Sequence, residues 1–247
     1  MLHPRTFIIP SALIAGALLA VAATTTTGAT MPHAAVTHTT AGPVVIELYH
    51  SQGCSSCPPA EADLNAIANR GDVLALSFAV TYWDRLGWTD TFGSPLFTAR
   101  QVDYARAGKG EVATPEFVIN GTRTVVGADR RALNAAVAES GFASDAPVIS
   151  INAGHVAVAG AANGQVAPAT VWLVRYDPRT IDVAVRAGEN GGRTLAQRNV
   201  VRELVRLGDW SGRSTGFALP RAQADGLASA VLVQRGTGGA IIAARKV

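Results

Sequence analysis

Apolar positions follow two regimes along the chain. In the first, compact apolar runs alternate with segments of helical period. Val44 to Tyr49 is a short apolar run with Glu47 inside it, ending at the turn-prone Ser51-Gln52-Gly53, and it reads as a strand. After Pro58 and Pro59, the segment from Ala60 to Asn69 places Ala62, Leu64, Ala66, Ile67 and Ala68 with helical character, and Gly71 follows as a stop. Val73 to Val80 is a second buried strand, so the unit predicts a parallel strand-helix-strand crossover. A helix from Pro95 to Ala107 is closed by Gly108. A hairpin is expected from Phe117 to Asn120 and Thr124 to Val126, turning at Gly121, and a last helix runs from Asp129 through Ala138. This is α/β logic over 43–143.

Beyond Ala146 the pattern changes to short β-like runs separated by Gly and Asn: Val148 to Ile151, His155 to Ala159, Ala169 to Tyr176, Ile181 to Ala187 and Ser229 to Gln234. Strand and helix readings compete over Leu195 to Leu207. Such repeated strands argue for a smaller, mainly-β, sandwich-like or barrel domain of about a hundred residues, over 147–247. Ahead of both domains, no Asp, Glu, Lys or Arg occurs between Thr6 and Ile46. Arg5, the apolar stretch Phe7 to Ala23 and the small residues Ala20 and Ala22 read as a secretory signal peptide over 1–23, cleaved around Ala22 or Ala23. The alternatives are an uncleaved membrane anchor, just short of the ~20 residues a spanning helix needs, or a buried helix. Thr24 to Gly42, rich in Thr, Ala, Gly and Pro, reads as a linker. The protein is therefore expected to be periplasmic or secreted, and at a membrane only if the leader stays attached.

Composition narrows the chemistry. A chain of 247 residues that is 48% hydrophobic and 16% charged has enough apolar content for one or two packed domains, which excludes a disordered chain. Its 21 basic and 18 acidic residues leave +3, with no basic block, so nucleic acid is not an expected partner. No Rossmann glycine fingerprint, phosphate loop, hydrolase elbow or His-Glu-x-x-His helix is present. His155 alternates with Val156 and Val158 and reads as a strand residue.

The only cysteines are Cys54 and Cys57. Cys54-Ser55-Ser56-Cys57 sits where a strand hands over to a helix, and unsatisfied N–H groups at a helix start favour a thiolate. A thiol there titrates well below its free value, and the thiolate is the species that attacks disulfides. Cys54 is then the nucleophile and Cys57 the resolving thiol, the redox-active disulfide Cys54–Cys57 being the only cofactor. Two other readings stay open. One is an inert structural disulfide, against which the very short loop argues because it removes little unfolded-state entropy. The other is copper or zinc held by Cys54, Cys57 and His50.

Trp83, Asp84 and Trp88 follow a buried strand on the edge where α/β sheets place ligands, and they read either as a substrate groove or as core filling with a turn-capping Asp84. Asp84 is also a possible proton acceptor for Cys57. Glu189, Asn190 and Arg193 lie among Gly188, Gly191 and Gly192, a loop that reaches the first domain, binds an anion, or merely connects strands. Thr114-Pro115 directly precedes the strand at Phe117, and trans is the ordinary state of such a bond.

Gly53-Cys54-Ser55-Ser56-Cys57-Pro58-Pro59 after Glu47-Leu48, with Tyr82-Trp83-Asp84, Leu86-Gly87-Trp88 and Thr114-Pro115, resembles the thioredoxin-like bacterial family known as domain of unknown function 1223. Gly188-Glu189-Asn190, Gly192-Arg193-Thr194-Leu195 and Asn199-Val200-Val201-Arg202 resemble that family's other recurrent block. The resemblance implies a thioredoxin-like domain followed by a β-rich one, usually exported, with no established substrate. It also implies that Pro115 is cis and faces the cysteines, so that Thr114 and Pro115 hold the substrate backbone. Its departure is Tyr49-His50, where an aromatic followed by Thr is expected; an imidazole there tunes Cys54 or adds a metal ligand. The expected function is thiol–disulfide exchange with protein thiols or disulfides, the alternatives being a metal-binding or delivery protein and a non-catalytic interaction module.

Overall fold

The computed structural model describes residues 42–152, 154–160 and 167–247, all within one compact unit, Val36–Val247. The signal peptide expected over 1–23 and nearly all of the linker expected over 24–42 lie outside the described residues. Among those residues no helix is long and apolar enough to cross a membrane.

Strand β1 (Val44–His50) is buried along its whole length, as is β2 (Val73–Ala79), and helix α1 (Cys57–Ile67) connects them. They pair in parallel, with Val44 opposite Val73 and His50 opposite Ala79. A single 3-10 turn at Asp84–Leu86 and helix α2 (Pro95–Arg106) follow. Next comes the hairpin of β3 (Glu116–Ile119) and β4 (Arg123–Val126), whose β3 lies antiparallel to β1. Asn120 and Gly121 take φ of 46° and 63° at its turn, a left-handed conformation that these two residue types tolerate best. Helix α3 (Arg130–Ala138) is capped by Asp129, whose carboxylate accepts the Ala132 N–H at 2.9 Å.

The later stretch is rich in strand: β5 (Val148–Asn152), β6 (His155–Ala159), β7 (Ala169–Asp177), β8 (Ile181–Ala184), β9 (Thr194–Gln197), β10 (Val200–Trp210), β11 (Thr215–Ala218), β12 (Ala228–Arg235) and β13 (Ile241–Lys246). The segment Leu195 to Leu207, ambiguous in sequence, is strand on either side of Asn199. Four of these strands continue the first sheet. The result is an eight-stranded mixed sheet in the order β13-β12-β7-β10-β2-β1-β3-β4, beside a three-stranded sheet β11-β6-β5 and a two-stranded ribbon β8-β9. The join is narrow: Val200 pairs with Ser77, the Ser77 N–H donates to the Asn199 carbonyl at 3.0 Å, and Asn199 Nδ2 donates to the Ala75 carbonyl at 2.8 Å.

Side-chain alternation along β1 builds the layers. Val44, Ile46 and Leu48 face Ala60 and Leu64 of α1 and Leu133 and Val137 of α3. Val45 and Tyr49 face Phe97 and Tyr104 of α2. Glu47 is also buried, and its carboxylate meets Arg100 Nη2 of α2 at 2.8 Å. At the far end of the sheet, Ile149, Val156 and Val158 of the small sheet pack on Val171, Leu173, Val231 and Val233, giving a sandwich-like core there.

Candidate functional site

The chain leaves β1 at His50 and enters α1 at Cys57, earlier than the Ala60 expected from sequence, because the two prolines stand inside the first turn rather than ahead of it. That position suits them, since a first-turn N–H has no helical acceptor. The Cys54 N–H donates to the Ser51 carbonyl at 3.1 Å and the Cys57 N–H to the Cys54 carbonyl at 3.2 Å, so the cysteines are joined by a tight turn. Both are free thiols and both are buried, with Ser55 and Ser56 exposed beside them.

The two sulfurs are electrically unequal. A hydrogen bond from the Cys57 thiol, aided by Ser56 Oγ at 3.2 Å, lowers the Cys54 pKa from 9.0 to about 6, although burial opposes the shift. Burial pushes the Cys57 thiol far upward, and its hydrogen bond to Cys54 and the Cys54 charge push it further. Near neutral pH Cys54 is ionised and Cys57 holds its proton. Opposite them the Thr114–Pro115 bond is cis, contrary to the ordinary trans state, and the Thr114 carbonyl lies 3.8 Å from Cys54 Sγ. Trp83 Nε1 fixes that segment by donating to Thr114 Oγ1 at 2.7 Å.

Beneath the turn lies a buried polar cluster. His50 Nε2 is 2.6 Å from Ser77 Oγ, and His50 Nδ1 is 2.7 Å from Glu61 Oε1 on α1. Burial alone would lower the His50 pKa, but the charge of Glu61, reinforced by Asp90 and Cys54, raises it. Gln52 ties the cluster together. Its N–H donates to Asp90 Oδ2 at 2.7 Å, its Oε1 accepts from Trp88 Nε1 at 3.0 Å, and its Nε2 donates to Gln197 Oε1 at 3.1 Å. Burial raises the Asp90 pKa, although His50 and the backbone amides it accepts from oppose this.

The connection between β8 and β9 closes over the same turn. Asn190 is fully buried, and its Nδ2 donates to the Gln52 carbonyl at 2.9 Å and the Cys54 carbonyl at 2.8 Å. Arg193 Nη1 donates to Asn190 Oδ1 at 2.6 Å, and Glu189 Oε2 accepts the Ser55 N–H at 3.0 Å.

The family described as "Protein of unknown function (DUF1223)" matches residues 45–234, a span that holds both the Cys turn and the 188–193 connection. The chain belongs to this family. A crystal structure of protein AGR_C_4864 from Agrobacterium tumefaciens is 32% identical, with a TM-score of 0.66 over 83% of this chain and 93% of that one. HBP35 of Porphyromonas gingivalis, 13% identical, shares the fold at a TM-score of 0.54 over 83% of this chain and 74% of its own. No curated protein matches the chain.

Within this DUF1223 site, the structure brings Cys54, Cys57, Thr114, Pro115 and Trp83 together. Trp88 supports rather than lines the turn: it holds Gln52 and packs with Val183, Val185 and Leu195 under the ribbon. Asp84 Oδ1 accepts the Asp90 N–H at 3.0 Å and so shapes the 84–90 loop. His50 faces Glu61 and Ser77, and among the described residues no three His, Cys, Asp or Glu side chains converge as a metal site. Glu61, Ser77, Asp90 and Gln197 gain their roles only where α1, β2, the 84–90 loop and β9 meet, which no local sequence pattern announces. The glycines flanking Glu189 and Asn190 were the one visible signal of the closing connection.

Proposed function

We propose that this DUF1223 protein is an exported, thioredoxin-like thiol–disulfide oxidoreductase acting on protein thiols or disulfides. The observation that carries the reading is the Cys54-Ser55-Ser56-Cys57 turn at the start of α1, which holds two free thiols together with the Thr114 carbonyl 3.8 Å from Cys54 Sγ. A thioredoxin-like assignment is further supported by the order strand, Cys turn, helix, parallel strand, then antiparallel hairpin and helix. An exported setting suits disulfide chemistry.

In the reducing direction the Cys54 thiolate attacks one sulfur of a substrate disulfide. A Cys54–substrate disulfide forms, the substrate S–S bond breaks, and the other substrate sulfur leaves as a thiolate. That leaving thiolate takes the Cys57 proton. Cys57 then attacks Cys54 Sγ, which closes the Cys54–Cys57 disulfide and releases the second substrate sulfur as a thiolate. The protein dithiol is oxidised by two electrons and the substrate disulfide is reduced by two.

Trapping tests the mechanism. Cys57→Ser stops the second step and accumulates a mixed disulfide with client proteins, whereas Cys54→Ser yields none. Equal trapping by both variants, or by neither, contradicts the proposal.

A further inference from the structure

His50 ends β1 just ahead of the Cys turn and is 1% exposed. Ser77 Oγ of β2 lies 2.6 Å from its Nε2, and Glu61 Oε1 of α1 lies 2.7 Å from its Nδ1. Gln197 of β9 closes the cluster, its Nε2 donating to Glu61 Oε1 at 3.2 Å. Three acids act on the imidazole through their charge: Glu61, Asp90 of the 84–90 loop, and Cys54 of the turn.

This cluster accommodates either protonation state of the ring. Ser77 is buried, and its hydroxyl donates to a neutral ring nitrogen or accepts from a protonated one by rotating about a single bond. A proton can therefore enter or leave at Nε2 while Glu61 still faces Nδ1, with no movement of the backbone. Glu61 and Asp90 face the ring whether the cysteines are a dithiol or a disulfide. A Cys54 thiolate exists only in the dithiol, so among these acids Cys54 alone gains its charge on reduction and loses it on oxidation. A negative charge close to a buried base strengthens its hold on a proton.

We propose, resting on the thiol–disulfide function above, that His50 is the redox-linked proton carrier of the site, protonated when the Cys54–Cys57 disulfide is reduced and deprotonated when it re-forms. Reduction by two electrons breaks the S–S bond and takes up two protons. One goes to Cys57 and the other to His50 Nε2, which leaves Cys54 a thiolate beside an imidazolium. When a client disulfide reoxidises the pair, the two electrons pass to the client sulfurs and the same two protons are given up. His50 acts through Cys54 and is a positioning residue.

The test follows the His50 ring nitrogens by NMR from about pH 5 to 9 in the full chain, once as the dithiol and once as the disulfide, with His50→Gln to assign the signals. The midpoint is expected to lie at least about one pH unit higher in the dithiol, a tenfold gain in proton affinity. Cys54→Ser, which forms neither thiolate nor disulfide, is expected to titrate like the disulfide form. Between the two midpoints the reduction potential should follow two protons per two electrons, and only one in His50→Gln. Equal His50 midpoints in the two redox forms, or an unchanged two-proton dependence in a folded His50→Gln protein, overturn the proposal and leave the thiol–disulfide function standing. Failure of Cys54 and Cys57 to form a reversible disulfide overturns both.

Discussion

Asn190 donates its side-chain amide to the backbone carbonyl of Cys54 at 2.8 Å, across a sequence separation of 136 residues. The Cys turn is therefore held from above by the β8–β9 connection as well as from below by α1. A short loop carrying a buried thiolate needs such fixation, because its own turn bonds order only a few backbone groups.

Asn190→Ala removes two buried hydrogen bonds at once, leaving the Gln52 carbonyl unmet and the Cys54 carbonyl with the Cys57 N–H alone. A loss of about 2–4 kcal/mol in urea unfolding is expected. Alkylation of Cys54 in the reduced variant should quicken as the cover loosens. An unchanged alkylation rate in a destabilised variant would mean that the connection has no bearing on access to Cys54.

Trp83→Phe keeps an aromatic side chain but removes part of the indole together with the N–H that Thr114 Oγ1 accepts. At least about 1 kcal/mol of stability should be lost. Mixed-disulfide formation by the Cys57→Ser protein should slow several-fold when Trp83→Phe is added, because the Thr114–Pro115 segment then loses its anchor. Gel quantification of the trapped species measures the effect.

His50 links stability to pH. Its folded pKa is raised above the unfolded value of about 6.5, so its contribution is complete below that value and lost as pH rises through the higher folded one. Cys54 acts oppositely in the reduced protein. Its folded pKa is depressed to about 6, so its contribution is present above the unfolded thiol value and lost as pH falls through the folded one. In a Cys54→Ser background, which removes the opposing thiol, the urea midpoint should fall as pH rises above about 6.5. The decline should flatten when His50→Gln is added. An equally steep decline without the imidazole would show that another group is responsible.

The Glu47–Arg100 pair is buried on both sides, and Arg100 also donates to Gln234 Oε1 at 3.0 Å and lies over the Tyr104 and Trp172 rings. Glu47→Gln strands a buried guanidinium, so about 3–5 kcal/mol should be lost. Replacing both partners, Glu47→Leu with Arg100→Met, should cost clearly less in the same urea experiment. A double variant as unstable as the single one would contradict this account of the pair.

The local part of the fold was legible because it rests on local rules. Continuous apolar runs marked β1 and β2, the Asn120-Gly121 turn marked the hairpin, and Asp129 marked the start of α3. What escaped is long-range. The bridge from β2 to β10 depends on Ser77, Asn199 and Val200, whose pairing leaves no periodic signature in either segment. The β-rich stretch consequently read as a unit of its own, although four of its strands extend the first sheet. Strands β11 and β13 lacked clean alternation, because Gly216 interrupts the first and the second passes from buried to exposed along its length. At the site, the Cys pair and Thr114–Pro115 were readable as motifs. Gln52, Glu61, Asp90 and Asn190 acquire meaning only once their elements meet.

The most direct test of the account is the pH dependence of thiol alkylation in the reduced protein, with modified residues located by mass spectrometry. Cys54 is expected to react first, with a midpoint at about 6, while Cys57 stays unmodified throughout the neutral range. A Cys54 midpoint near 9.0, the ordinary thiol value, or equal modification of both cysteines would contradict the claim that this turn holds a thiolate beside its protonated partner.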